Sequence, residues 1–142
     1  MSHGIHLAAT ALREHPFAPI PLFLSLSHAR DVSIPEALAA FLTRYQGVQM
    51  DVELINQILD GPHEIILILD GLDEMVDGVD YTRLRVALGR IEEMRARPHV
   101  HILLTCRNTF FRISVEEAIV RPTCTLRLLP FSHSRIRQYV ES

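Results

Sequence analysis

Ile65-Ile66-Leu67-Ile68-Leu69-Asp70-Gly71-Leu72-Asp73-Glu74 decides the fold. Its five apolar residues fall far short of the roughly 20 that a membrane helix needs, and they suit a strand buried on both faces. The run then stops abruptly. Three carboxylates, Asp70, Asp73 and Glu74, fall within the next five residues.

Working outward, apolar runs of strand length alternate with amphipathic stretches of helix length. Residues 4–15 read as a helix that ends before His15-Pro16, and a strand from Ile20 to Leu26 follows, with Pro21 near its start. Ser33 and Glu36 have capping-box spacing, with Pro35 in the first turn and Leu38, Phe41, Leu42 and Tyr45 as the apolar stripe. Asp51 caps a second helix with Leu54, Ile55, Ile58 and Leu59 on its buried side, and Gly61-Pro62 ends it. The strand from Glu64 to Leu69 comes next. A helix capped by Asp80 then carries Leu84, Leu88, Ile91 and Met94 on one face, and a further strand runs from Val100 to Thr105. Ser114 and Glu117 have capping spacing for a short helix through Val120; Thr125 to Leu129 reads as a last strand, and Ser132 begins another helix. This order predicts an α/β fold, a parallel sheet with helices on both faces.

Ligands of such sheets gather at the carboxyl ends of the strands. Two strands here end in charge: one at Asp70, the other at Leu103-Leu104-Thr105-Cys106-Arg107. A carboxylate at a strand tip can hold Mg²⁺, directly or through water, because Mg²⁺ needs only one or two carboxylates. Gly71 leaves room for a phosphate or metal-bound water, and Asp73 or Glu74 can orient and deprotonate a water. Arg107 can reach a terminal phosphate, and Thr105 can hydrogen-bond phosphate or water. The plainer alternatives are a turn at Asp70, a helix start at Asp73-Glu74, an Arg107 paired with one of those carboxylates, and a Thr105 that merely ends its strand.

Composition narrows the chemistry. The 142 residues are 48% hydrophobic and 22% charged, with net charge −3, which excludes a disordered tail and gives no reason to expect capture of nucleic acid or anionic membrane. All 14 basic residues are arginine, so Schiff-base, catalytic-lysine and phosphate-loop-lysine chemistry is excluded for these residues. Cys106 and Cys124 match no zinc or redox spacing and fit a reducing, cytoplasmic setting; the N-terminus has no secretory signal. His99 and His101 point to one face of their strand with no third metal ligand evident, and Arg83, Arg90 and Arg97, seven apart, read as a solvated helix face.

These residues resemble the NACHT family of signal-transducing P-loop nucleotidases, within the STAND group. Ala18-Pro19-Ile20-Pro21-Leu22-Phe23-Leu24-Ser25-Leu26 is similar to the family's proline-led strand after the phosphate-loop helix. Leu69 to Glu74 resembles its extended Walker B motif, and Leu104-Thr105-Cys106-Arg107 its sensor-1 strand, usually Thr-Ser-Arg. Leu129-Pro130-Phe131-Ser132, with Ile136 and Tyr139, resembles the final strand and the way into a following helical domain. The resemblance implies a P-loop NTPase-like core over residues 1–130 and the start of the helical domain over 131–142. It also implies that Asp70 and Gly71 serve Mg²⁺ and ATP or GTP, that Asp73 and Glu74 supply the hydrolytic carboxylate, and that Thr105 and Arg107 contact nucleotide, Arg107 sensing the γ-phosphate. Further domains of the same polypeptide and oligomerisation would be its partners.

One motif of the family is absent: the sequence has no G-x-x-x-x-G-K-[ST]. In the family that loop, and the strand feeding it, precede what is here Met1, so the resemblance implies a core without its first strand. That strand would lie between the strands at 65–69 and 100–105 on one side and 125–129 on the other. Without it two inner edges stand unpaired, at about 1–3 kcal/mol per buried orphan group, unless the edges close up. The expected function is a partial NTP-binding and hydrolysing switch domain that binds nucleotide negligibly by itself. Two alternatives stay open: a non-catalytic interaction or regulatory fragment, and a Mg²⁺-dependent phosphoesterase using the Asp70 cluster directly.

Overall fold

The computed structural model describes residues 18–47, 49–75, 81–108, 110, 122–128, 132 and 137. They form strand β1 (Ile20–Ser25), helices α1 (Ile34–Gln46) and α2 (Val52–Leu59), strand β2 (Ile65–Asp70), helix α3 (Tyr81–Arg95) and strand β3 (Val100–Leu104). Short 3-10 turns follow β1 at Leu26–Ala29 and β2 at Leu72–Glu74. The fold is α/β, as expected. The helix expected over 4–15, the Asp80 cap and the Ser114–Val120 helix lie outside the described residues.

The three strands are parallel, in the order β1-β2-β3, with Ile20, Ile65 and Val100 in register. Because neighbouring side chains alternate across a sheet, one face collects Leu24, Ile65, Leu67, Leu69 and Val100, all buried. The other face carries Phe23 and Leu103, 44% and 51% exposed, with Ile66 and Ile68 half-buried between them. The apolar run of β2 is thus fully buried on one side and partly on the other. The buried face packs with Leu38, Ile55, Leu59, Leu84, Leu88, Ile91 and Met94 in one core. Burial at this level is worth about 1.5–3 kcal/mol per large aliphatic side chain.

Helix ends follow their sequence signals. Ser33 caps α1 by accepting from Glu36 N–H at 3.3 Å, while the Glu36 carboxylate accepts from Ser33 N–H at 2.8 Å. Gly47 closes α1 at φ 66°, a left-handed position that suits glycine. Asp51 caps α2 by accepting from Leu54 N–H at 2.8 Å.

Three expectations are corrected. Thr125 to Leu128 form no strand; Leu126 and Leu128 are 86% and 93% exposed. Among the described residues no strand pairs with them, and a strand exists only through a neighbour. Leu54 and Tyr45, expected in apolar stripes, are 40% and 45% exposed: Leu54 lies at the margin of its helix's apolar arc, and Tyr45 lies in the last turn of α1 with its ring 4.8 Å from that of Phe41. Nor are Arg90 and Arg97 a solvated face. Arg90 Nη1 donates to Ala29 O and Arg30 O, both at 3.0 Å, tying α3 to the turn after β1. Arg97 donates to Asp60 Oδ1 at 2.9 Å and Asn56 Oδ1 at 2.8 Å, tying the loop after α3 to the end of α2.

Candidate functional site

The carboxyl ends of β2 and β3 are stitched together by side chains that the sequence had singled out. Thr105 N–H donates to Leu69 O at 3.0 Å, and Leu72 N–H donates to Thr105 O at 2.9 Å, extending the β2–β3 ladder past the strand ends. That places the Thr105 hydroxyl between the two neighbours it serves. Its Oγ1 accepts from Gly71 N–H at 3.0 Å and donates to Asp70 Oδ1. Asp70, exposed at the tip, is held by one oxygen and keeps the other free of described partners.

The chain turns sharply after Asp70. Gly71 sits at φ 78°, where an L side chain is strained, and a Cβ there would meet Glu74 Cδ at 3.1 Å. The 3-10 turn that follows buries Leu72 and carries Asp73 and Glu74. Asp73 is 13% exposed in its side chain and is gripped twice by Arg107: the backbone N–H donates to Oδ1 at 3.1 Å and Nε pairs with Oδ2 at 2.8 Å. Glu74 stays exposed, its side chain lying against Gly71. The carboxylates expected to act together are therefore in different positions: Asp73 is an anchor for Arg107, and Glu74 is open to solvent. A 3-10 turn explains this, because three residues per turn put adjacent side chains on different faces.

Cys106, between Thr105 and Arg107, is half-buried, and burial, helped by the nearby Asp73 charge, pushes its thiol above the ordinary value. It packs against the hydrophobic core, and the raised value disfavours the thiolate. Among the described residues no group of three or more His, Cys, Asp or Glu is disposed to hold a metal by itself.

At the opposite, amino end of the sheet, the structure supplies the partner that sequence could not give His99 and His101. Glu64 pairs with both, Oε1 with His99 Nδ1 at 3.1 Å and Oε2 with His101 Nε2 at 2.6 Å. These hydrogen bonds, that from His99 first, hold the Glu64 carboxyl below its ordinary value of 4.5. A carboxyl depressed in the folded state stabilises the fold above its unfolded pKa, and the contribution is lost as pH falls through the lower folded value. Glu64→Gln will accordingly lower Tm at neutral pH and flatten its fall as pH drops below the ordinary carboxyl value. An unchanged acid limb would contradict the pairing.

No described helix is long and apolar enough to cross a membrane. A family model described as NACHT domain matches residues 5–142. Neither the curated proteins nor the solved structures compared yield a match.

Proposed function

Because the chain belongs to the NACHT family, whose domain is a nucleotide-binding NTPase-type domain, we propose that the tips of β2 and β3 form the acidic and arginine half of a nucleotide switch site. One observation carries this reading. Thr105 and Arg107, just past the end of β3, hold Asp70 at the end of β2 and Asp73 in the turn after it, at the carboxyl end of a parallel sheet where ligands of α/β folds bind.

The donor set suits Mg²⁺ as a site shared with substrate. Asp70 keeps a carboxylate oxygen beyond the one that Thr105 engages, and Mg²⁺ is commonly held by one or two carboxylates together with phosphate oxygens and water. When bound, the ion neutralises charge on the terminal phosphates. Asp70 would hold it, and Thr105 fixes that carboxylate's orientation. Glu74, exposed and without a partner among the described residues, would accept a proton from water, the role first shared between it and Asp73. Arg107 uses Nε on Asp73, which leaves its terminal N–H donors for a γ-phosphate. An arginine shared between an internal carboxylate and a ligand phosphate gives a switch two settings.

The other half of such a site, a glycine-rich loop with lysine, has no counterpart among these 142 residues. Isothermal titration of the chain with Mg-ATP or Mg-GTP will therefore give a Kd weaker than about 1 mM. Binding in the micromolar range that disappears in Arg107→Ala would overturn the half-site reading. Turnover of a simple phosphoester, abolished by Asp70→Asn, would instead establish a free-standing phosphoesterase.

A further inference from the structure

Arg83 and Arg90 stand seven residues apart on α3, close to two full turns, so they share one side of the helix about 10 Å apart along its axis. That side meets the 3-10 turn after β1. Arg90 Nη1 donates to Ala29 O and Arg30 O there, which holds its guanidinium in place and sets Arg30 beside α3. Between the two elements lies a cavity of about 280 Å³ whose wall includes Arg30, Asp31, Arg83 and Arg90, completed by the buried side chains of Met75 and Ala87. It lies toward the carboxyl end of the sheet, because Arg30 and Asp31 follow the turn after β1 and Met75 follows the turn after β2. None of Asp70, Gly71, Asp73, Glu74, Thr105 and Arg107 lines it.

Three guanidiniums against one carboxylate favour an anion, and the planar fork of arginine matches the oxygens of phosphate-like ions. Arg90 spends Nη1 on the two carbonyls, and its Nε and Nη2 have no partner among the described residues. Arg30 and Arg83 have partners of their own, but a guanidinium carries five N–H donors and can serve another. Outside the wall, Glu36 also acts on Arg90, although its Oε2 already accepts from Ser33 N–H at 2.8 Å and from the Ser33 hydroxyl at 2.7 Å. Size and Asp31 then select among anions. The volume falls below the roughly 300–1,000 Å³ of pockets for drug-sized ligands, which points to a small ion. The Asp31 carboxylate accepts hydrogen bonds and donates none, so it repels a fully ionised oxyanion and favours one that keeps a proton. Inorganic phosphate at neutral pH keeps at least one P–O–H. Sulfate has none, and a phosphomonoester, with a second pKa of about 6, has mostly lost its own. We propose that this cavity binds inorganic phosphate, with Arg30, Arg83 and Arg90 donating to its oxygens and Asp31 accepting its P–O–H.

The test is titration of the full chain with inorganic phosphate, sulfate and phosphoserine at neutral pH and constant ionic strength, read from amide chemical shifts. Phosphate will shift the amides of Arg30, Asp31, Thr82 and Arg83 with a Kd of about 1 mM or tighter. Sulfate and phosphoserine will bind at least about tenfold more weakly. Asp31→Asn, which removes the negative charge, will narrow that gap by tightening sulfate. Arg83→Gln will weaken phosphate at least about fivefold. Arg83 is exposed on its helix, so this variant keeps the test intact if Arg90→Gln, which also loses the bonds to Ala29 and Arg30, fails to fold. No shift up to about 10 mM phosphate, sulfate or phosphoserine bound as well as phosphate, a preference unchanged in Asp31→Asn, or shifts centred instead on Asp70, Gly71 and Arg107 would each overturn the proposal.

Discussion

Leu67→Ala will lower the free energy of unfolding by about 3–4 kcal/mol and Tm by about 10 °C. Leu67 is fully buried at the middle of the central strand, in register with Leu22 on one side and Ile102 on the other. Truncation there removes apolar atoms from a core wall made of strands on both sides, which cannot close the gap without breaking their ladders. Leu103→Ala, one strand away on the exposed face, is the comparison. It will cost under about 1 kcal/mol, because half of its side chain never left water. Urea unfolding followed by circular dichroism reads both; equal losses would mean that the buried and exposed faces of the sheet have been misassigned.

Gly71→Val has the second largest expected effect, about 2–3 kcal/mol, and it combines two causes. The left-handed backbone at φ 78° costs a β-branched residue about 1–2 kcal/mol, and the new side chain meets Glu74, whose Cδ lies 3.1 Å from the Cβ position. Gly47→Val separates these causes. Gly47 has φ 66° but nothing within 4 Å of a Cβ, so its loss reports backbone strain alone. The difference between the two variants measures the contact with Glu74. If they lose the same stability, Glu74 moves aside freely and its position against the strand tip is not fixed.

Much of the fold was legible because its signals are local. The capping box at Ser33 and Glu36, the Asp51 cap and the stripe Leu84, Leu88, Ile91 and Met94 all depend on residues within a few turns of one another. Thr125 to Leu129 reads as a strand by the same local logic, yet a strand exists only through a neighbour, and residues 125–128 have none among those described. The arginines at 90 and 97 were misread for a related reason: spacing shows which residues share a helix face, not what packs against it.

The candidate site divides in the same way. Asp70 and Arg107 were visible as charges ending apolar strands. Their partners were not, because each lies past the end of the other strand: Asp70 meets Thr105, and Arg107 meets Asp73, 34 residues away. Only the register shows Thr105 serving Gly71 and Asp70 at once. The split between a tethered Asp73 and an open Glu74 arises from a 3-10 turn that the sequence alone leaves indistinguishable from a helix start. Glu64 as the shared partner of His99 and His101 was invisible for the same reason: it lies one strand over.

The central claim, that these strand tips are half of a nucleotide site, is tested most directly by supplying the other half. A strand and glycine-rich loop ending in Gly-Lys-Ser, fused ahead of Met1, should convert negligible binding of a fluorescent ATP analogue into micromolar binding with Mg²⁺. Asp70→Asn and Arg107→Ala in that fusion should each weaken it at least about tenfold. A correctly folded fusion that binds no nucleotide, or binds it equally well with Asp70 and Arg107 replaced, would contradict the account.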